Sequence, residues 1–145
     1  MKVVAISGIS GCGKTSLVKT LSHSLSCPSV LFDDFVDDQT YLKDIKKWVT
    51  NGANVLDVET PRMDKALLEL VSRSEAEYIF VEEPFGKCRE PISALIDKVV
   101  LLDMPLEICL SRVIQRNIAQ SGLDSSQNIN QYLVKYNEFL RDAYI

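Results

Sequence analysis

The sequence holds a single histidine in 145 residues, so a zinc centre is unsupported. Its four cysteines, Cys12, Cys27, Cys88 and Cys109, form neither C-x-x-C pairs nor a dense disulfide framework, so they read as reduced thiols of a cytoplasmic protein. Basic excess is missing as well. A net charge of -4 argues against nucleic acid as a partner, because that binding rests on a basic footprint, although a small anion in a local basic pocket stays compatible. The opening run Met1-Lys2-Val3-Val4-Ala5-Ile6 is too short for a signal sequence, and no apolar stretch reaches membrane-spanning length, so no membrane partner is expected. Repeats and low-complexity tracts are absent. The length suits one domain spanning 1–145, and a hydrophobic fraction of 46% is ordinary for a globular chain.

Glycine is scarce too, yet three of the six glycines fall within residues 8–15. The run Gly8-Ile9-Ser10-Gly11-Cys12-Gly13-Lys14-Thr15 is G-x-x-x-x-G-K-T, the phosphate-binding loop. Glycines let the backbone curl and aim N–H groups at phosphate oxygens, the lysine reaches the β and γ phosphates, and the threonine hydroxyl serves Mg²⁺. A β-branched run precedes the loop, and Leu17, Val18, Leu21 and Leu25 follow at helical spacing, the strand-loop-helix context the motif needs. Gly8, Ser10, Gly11, Cys12, Gly13, Lys14, Thr15 and Ser16 are therefore the expected binding residues for a nucleoside triphosphate. Cys12 reads either as a small filler or as a reactive thiol at the helix N-terminus.

Further along, Ser29-Val30-Leu31-Phe32 predicts a second strand ending in Asp33-Asp34-Phe35. Residues 39–51 read as a helix stopped by Gly52, and 52–59 as a loop. Thr60-Pro61 opens a helix with Met63, Ala66, Leu67, Leu70 and Val71 as its buried stripe. Tyr78-Ile79-Phe80-Val81 predicts a third strand running into Glu82-Glu83, the Walker B pattern of apolar residues followed by a carboxylate. A charged loop follows at 87–91, then a fourth strand over 97–102. Pro105 suits a first helical position, and the helix it opens carries Arg112 and Arg116 on its outer face. After a polar break at 121–126, the last helix carries Ile129, Tyr132, Leu133, Tyr136, Phe139, Leu140 and Ala143. Strands alternating with helices predict parallel βαβ units with right-handed crossovers and helices on both faces. With the phosphate loop the pattern resembles the three-layer α/β P-loop NTPase fold, which implies a mostly parallel sheet of four or five strands in the order 2-3-1-4. The strand ends then bring Asp33 and Asp34 to the rim that holds the phosphate loop.

The D-x-x-G and N-K-x-D motifs of GTPases and the LSGGQ signature of transporter ATPases are absent. Acidic pairs ending strands two and three, with an arginine-bearing helix after strand four, suit phosphoryl transfer to a hydroxyl acceptor. The chain resembles the uridine kinase and nicotinamide riboside kinase branch of the P-loop kinases. The resemblance rests on residues 8–15, Asp33-Asp34-Phe35, Trp48 with Pro61-x-x-Asp64, Val81-Glu82, and the arginines of Ser111-Arg112-Val113-Ile114-Gln115-Arg116. It implies ATP and Mg²⁺ as cofactors. It implies Asp33 as general base, Glu82 as organiser of Mg²⁺ and substrate, and Arg112 and Arg116 as arginines of a lid spanning about 111–127. Thr15, Asp33 and Glu82 are the expected metal set, and Asp33, Phe35, Trp48, Arg62 and Glu82 the expected substrate set.

Phe35, Tyr41 and Trp48 could sandwich a base or pack as core, and Arg62 could read substrate hydroxyls or pair with Asp64. Glu83 could share the role of Glu82, with Lys87 and Arg89 as further basic candidates near the rim. Two departures from the resemblance are expected to matter. Glu83-Pro84-Phe85-Gly86 stands where glycine usually follows the strand-three glutamate, which alters the acceptor pocket. The sequence ends at Tyr144-Ile145, where relatives continue into a fifth strand and closing helix that help hold adenine. The expected substrate is a nucleoside or riboside. A kinase for a nucleoside monophosphate or vitamin precursor, and a nucleotide-binding regulatory module, stay open.

Overall fold

Val3, Val4, Ala5 and Ile6 put apolar side chains on both sides of an extended backbone, which suits a strand covered on both faces. In the computed structural model they form β1 (Lys2–Ser7) of a parallel sheet with β2 (Ser29–Val30), β3 (Tyr78–Glu82) and β4 (Lys98–Leu101). The strand order is β2-β3-β1-β4, as expected, with four strands among the described residues. The structure describes residues 1–37, 40, 42–121 and 125–143. Its helices are α1 (Lys14–Leu25), α2 (Ile45–Thr50), α3 (Pro61–Arg73), α4 (Leu106–Ser121), α5 (Ser125–Lys135) and α6 (Arg141–Ala143).

The period of two in the strands sorts the core. Val3, Ala5, Ile79 and Val81 join Met63 and Leu67 of α3 on one face, while Ile6 and Phe80 join Val18 of α1 on the other. Helices thus cover both faces, and the fold is the α/β P-loop fold. Each fully buried aliphatic side chain in these layers contributes about 1.5–3 kcal/mol by leaving water.

The chain forms two compact units. The first comprises Met1–Gly8, Gly13–Lys43 and Val55–Leu102, and so holds the sheet with α1 and α3; the second comprises Ile9–Cys12, Asp44–Asn54 and Asp103–Ile145. In the second unit a π-helical turn, Tyr136–Leu140, joins α5 to α6, and it buries Tyr136 and Phe139.

Several elements differ from the sequence expectations. β2 stops at Val30, and a 3₁₀ turn, Phe32–Asp34, takes over, closed by the Asp34 and Phe35 amides donating to the Leu31 and Phe32 carbonyls. An Asp-Asp pair favours such local turns over a strand ladder. The helix expected over 39–51 starts at Ile45, because the Asp44 carboxylate caps it by accepting from the Lys47 amide at 2.9 Å. Asp38, Gln39 and Tyr41 lie outside the described residues, as do 122–124 of the expected lid and the terminal Tyr144 and Ile145. The loop after α2 contains a 3₁₀ turn, Val55–Asp57. Pro105 occupies the cap of α4 rather than its first turn, its carbonyl accepting from the Ile108 and Cys109 amides.

β4 is one of the two outer strands of the sheet among the described residues, and Val99, Val100 and Leu101 are exposed on it. At its start the Asp97 carboxylate accepts from the Val3 amide at 2.8 Å and from the Lys2 ammonium at 3.3 Å. The Val3 amide, aided by Lys2, holds the Asp97 carboxyl below its ordinary value. A depressed carboxylate adds stability above its unfolded-state value and loses it as pH falls through the folded one. Asp97→Asn is therefore expected to flatten the acid limb of a plot of urea midpoint against pH. An unchanged limb would remove Asp97 from the acid response.

Candidate active site

The phosphate loop is shaped by its glycines: Gly8, Gly11 and Gly13 sit at φ 140°, 84° and 101°, a region L side chains rarely adopt. In the second unit Gly11 is also sterically required, since a Cβ there would lie 2.3 Å from the Cys109 carbonyl oxygen. Gly13 caps α1, so the loop delivers Lys14 and Thr15 as the first two residues of that helix, where backbone N–H groups point outward. Lys14 is buried and Ser16 exposed. Cys12 is only 4% exposed, which shields its thiol and argues against the reactive reading. All four cysteines are free thiols.

In the first unit the Thr15 hydroxyl donates to Glu82 Oε1 at 2.8 Å. Glu82 ends β3 and is 5% exposed, and its Oε2 is buried with no hydrogen-bond partner. A buried carboxylate oxygen without a donor is costly, and a cation relieves that cost. Among the described residues no group of three or more His, Cys, Asp or Glu side chains could hold a metal alone. Mg²⁺ takes one or two protein oxygens and completes its shell from phosphates and water. Thr15 and Glu82 fit that ion as hard oxygen donors.

Asp33 is the middle residue of the Phe32–Asp34 turn, and both it and Asp34 are exposed. β2 pairs with β3, Val30 opposite Val81, so the turn leaves the same sheet end as Glu82. Phe35 packs partly against the buried cluster of Val3, Ala5 and Met63, which commits much of its ring to the core. Arg62 is exposed at the second position of α3. Thr60 Oγ1 donates to Asp64 Oδ1 at 3.1 Å, and burial raises the Asp64 carboxyl above its ordinary value against the pull of that bond.

In the second unit Arg112 and Arg116, four apart on the exposed face of α4, reach the loop itself. Arg112 Nη1 donates to the Gly11 carbonyl and Arg116 Nη2 to Ser10 Oγ, each at 3.4 Å. Trp48 also belongs to this unit, where its Nε1 donates to the Asn54 carbonyl at 2.8 Å.

Glu83 and Arg89 differ from the sequence expectation. Glu83 is fully buried, and Arg89 grips it with two bonds, Nε to Oε1 at 3.1 Å and Nη2 to Oε2 at 2.6 Å. The Phe85 amide takes Oε1 as well, at 3.1 Å. Both Glu83 oxygens are engaged, which leaves none for the metal role expected of Glu82, and Arg89 is an interior residue rather than a rim cation. Thr60 likewise does not use its hydroxyl as a helix cap; it accepts from Arg89 Nη1 at 2.9 Å. One signal in the sequence pointed here: a second carboxylate directly after a buried strand end must find a cation nearby.

No family model matches the chain. It is 27% identical to a protein named uridine kinase from Schizosaccharomyces pombe over 175 aligned residues, 99% of this chain but 37% of that protein. A uridine kinase of Haemophilus influenzae is 26% identical over 159 aligned residues, 90% of this chain and 75% of that protein. The chain thus spans about a third of the fission yeast relative and three quarters of the bacterial one. Among solved structures, TT1252 from Thermus thermophilus superimposes with a TM-score of 0.52 at 21% identity, covering 92% of this chain and 79% of that one. That likeness concerns the fold. In sequence the chain is uridine-kinase-like, and in fold it is an α/β P-loop protein.

Proposed function

We propose that the chain, acting as one domain over 1–145, is a kinase that transfers the γ-phosphoryl group of ATP to a hydroxyl of a nucleoside or riboside. The observation that carries this reading is the Thr15–Glu82 contact with the second Glu82 oxygen buried and unpartnered. The similarity to uridine kinases supports the choice of acceptor. Mg²⁺, held by Thr15 and Glu82, would supply charge neutralisation at the β and γ phosphates. Lys14 and the N–H groups of residues 8–15 cradle those phosphates, and Arg112 and Arg116 approach the same loop. Asp33 accepts the proton of the acceptor hydroxyl as its oxygen forms the new O–P bond, and the bond from the γ-phosphorus to the β,γ-bridging oxygen breaks to release ADP. Arg62, Phe35 and Trp48 complete the proposed acceptor set. Four free cysteines fit a cytoplasmic setting, and no described helix is long and apolar enough to cross a membrane.

A panel of nucleosides, ribosides, nucleoside monophosphates and vitamins incubated with ATP and Mg²⁺, reading ADP, tests this. A nucleoside or riboside is expected to give the largest stimulation. Asp33→Asn is expected to leave ATP affinity near wild type while lowering turnover by about 10²–10⁴-fold, the usual contribution of a positioned base. Stimulation by monophosphates alone would replace the acceptor class, and ATP binding without acceptor-stimulated ADP would favour a regulatory module.

A further inference from the structure

In the first unit three segments that bear the acceptor-side residues converge on one buried side chain, Arg89, which is 3% exposed. Its guanidinium carbon lies 5.5 Å from the ring centre of Phe32 and 5.7 Å from that of Phe85, and those two rings meet edge to face at 6.4 Å. Phe32 immediately precedes Asp33. The bidentate partner Glu83 immediately follows Glu82. Nη1 donates to the Val58 carbonyl at 2.7 Å and to Thr60 Oγ1, two residues before Arg62. Asp33, Glu82 and Arg62 therefore each stand one or two residues from a contact of the same guanidinium.

A buried ion pair is weak evidence for stability, since well-packed apolar residues of similar volume often do as well. What an arginine fork adds is direction: planar, bidentate geometry with the ring faces stacked against it permits one arrangement of its neighbours. We propose that Arg89, locked by Glu83, is a positioning residue that holds the Phe32–Asp34 turn, and with it the Asp33 carboxylate, in register with Glu82. The catalytic part of this inference rests on the kinase reading above; the structural part does not.

The test uses the full chain with the paired replacement Glu83→Leu/Arg89→Met, which removes both charges together and avoids stranding one. Amide hydrogen exchange is read at Asp34 and Phe35, whose amides close the turn, and at Ile79 and Val81 in the sheet. Protection at Asp34 and Phe35 is expected to fall tenfold or more with the sheet amides unchanged. With the best acceptor, kcat is expected to fall at least tenfold while the Kd of a non-hydrolysable ATP analogue stays within twofold. Unchanged protection in the turn, or an equal loss in turn and sheet, overturns the proposal. If the paired variant does not fold, Phe32→Leu keeps the ion pair and removes one ring from the guanidinium. It is expected to loosen the same two amides, and their unchanged protection would overturn the proposal equally. Wild-type protein that shows no acceptor-stimulated ADP overturns the kinase reading alone, and the exchange result still decides the positioning.

Discussion

Replacement of Lys14 by methionine is expected to lower acceptor-stimulated ADP formation by about 10²–10³-fold, the loss found when one preorganised electrostatic group is removed from a transition state. Lys14 is the first residue of α1, directly after the left-handed Gly13, and its side chain is buried. Methionine keeps an unbranched stem of similar length and a similar helix propensity, so the packing along the helix start is preserved. In the proposed kinase reaction the ammonium would be lost where charge builds on the transferring phosphoryl group. Backbone N–H groups of the loop remain, so triphosphate binding should weaken less than turnover. Turnover with the best acceptor, compared with thermal unfolding of the same variant, checks this. A rate within threefold of wild type would remove Lys14 from the chemistry.

The second large effect concerns stability. Arg89→Leu alone is expected to destabilise the chain by about 3–5 kcal/mol, because it strands the fully buried Glu83 carboxylate without a cation. The Val58 carbonyl and Thr60 hydroxyl lose a donor in the same step. Against a typical folding free energy of about 5–15 kcal/mol this is about a fifth or more of the total. Urea unfolding reads it as a fall in midpoint at constant slope. A loss under about 1 kcal/mol would mean that Glu83 finds another donor when the arginine is gone, since leaving even a neutral buried group unsatisfied costs at least that much.

The candidate site was legible where its residues are local in the sequence. Residues 8–15 and the Val81-Glu82 strand end are contiguous runs whose residue types have one common physical use, and the structure brings Thr15 and Glu82 into contact. The parallel sheet with helices on both faces followed from the alternation of strands and helices, and its order from the resemblance to P-loop folds. Less legible were features whose partners are distant or compete. Arg89 reads as one more charge in a surface loop, because nothing in 87–91 reveals that Glu83, Val58 and Thr60 surround it. Thr60 carries the signature of a helix cap, yet a buried guanidinium and Asp64 claim its hydroxyl. Phe35 and Trp48 show why an aromatic near a binding rim is ambiguous: one is partly sunk in the core, and the other is tied by its indole to the Asn54 carbonyl. The early end of β2 reflects a similar contest, since Leu31 and Phe32 suit a strand but the aspartates after them favour a turn.

The outer strand β4 has a consequence for the behaviour of the protein in concentrated solution. Val99, Val100 and Leu101 stand exposed at 39%, 42% and 68% on a strand at the edge of the sheet among the described residues, with Lys98 as its sole charged residue. An apolar edge of this kind is a template onto which another extended chain can add. Lys98 is the gatekeeper against that addition, so colloidal stability at this edge depends on a charge unrelated to the chemistry of the phosphate loop.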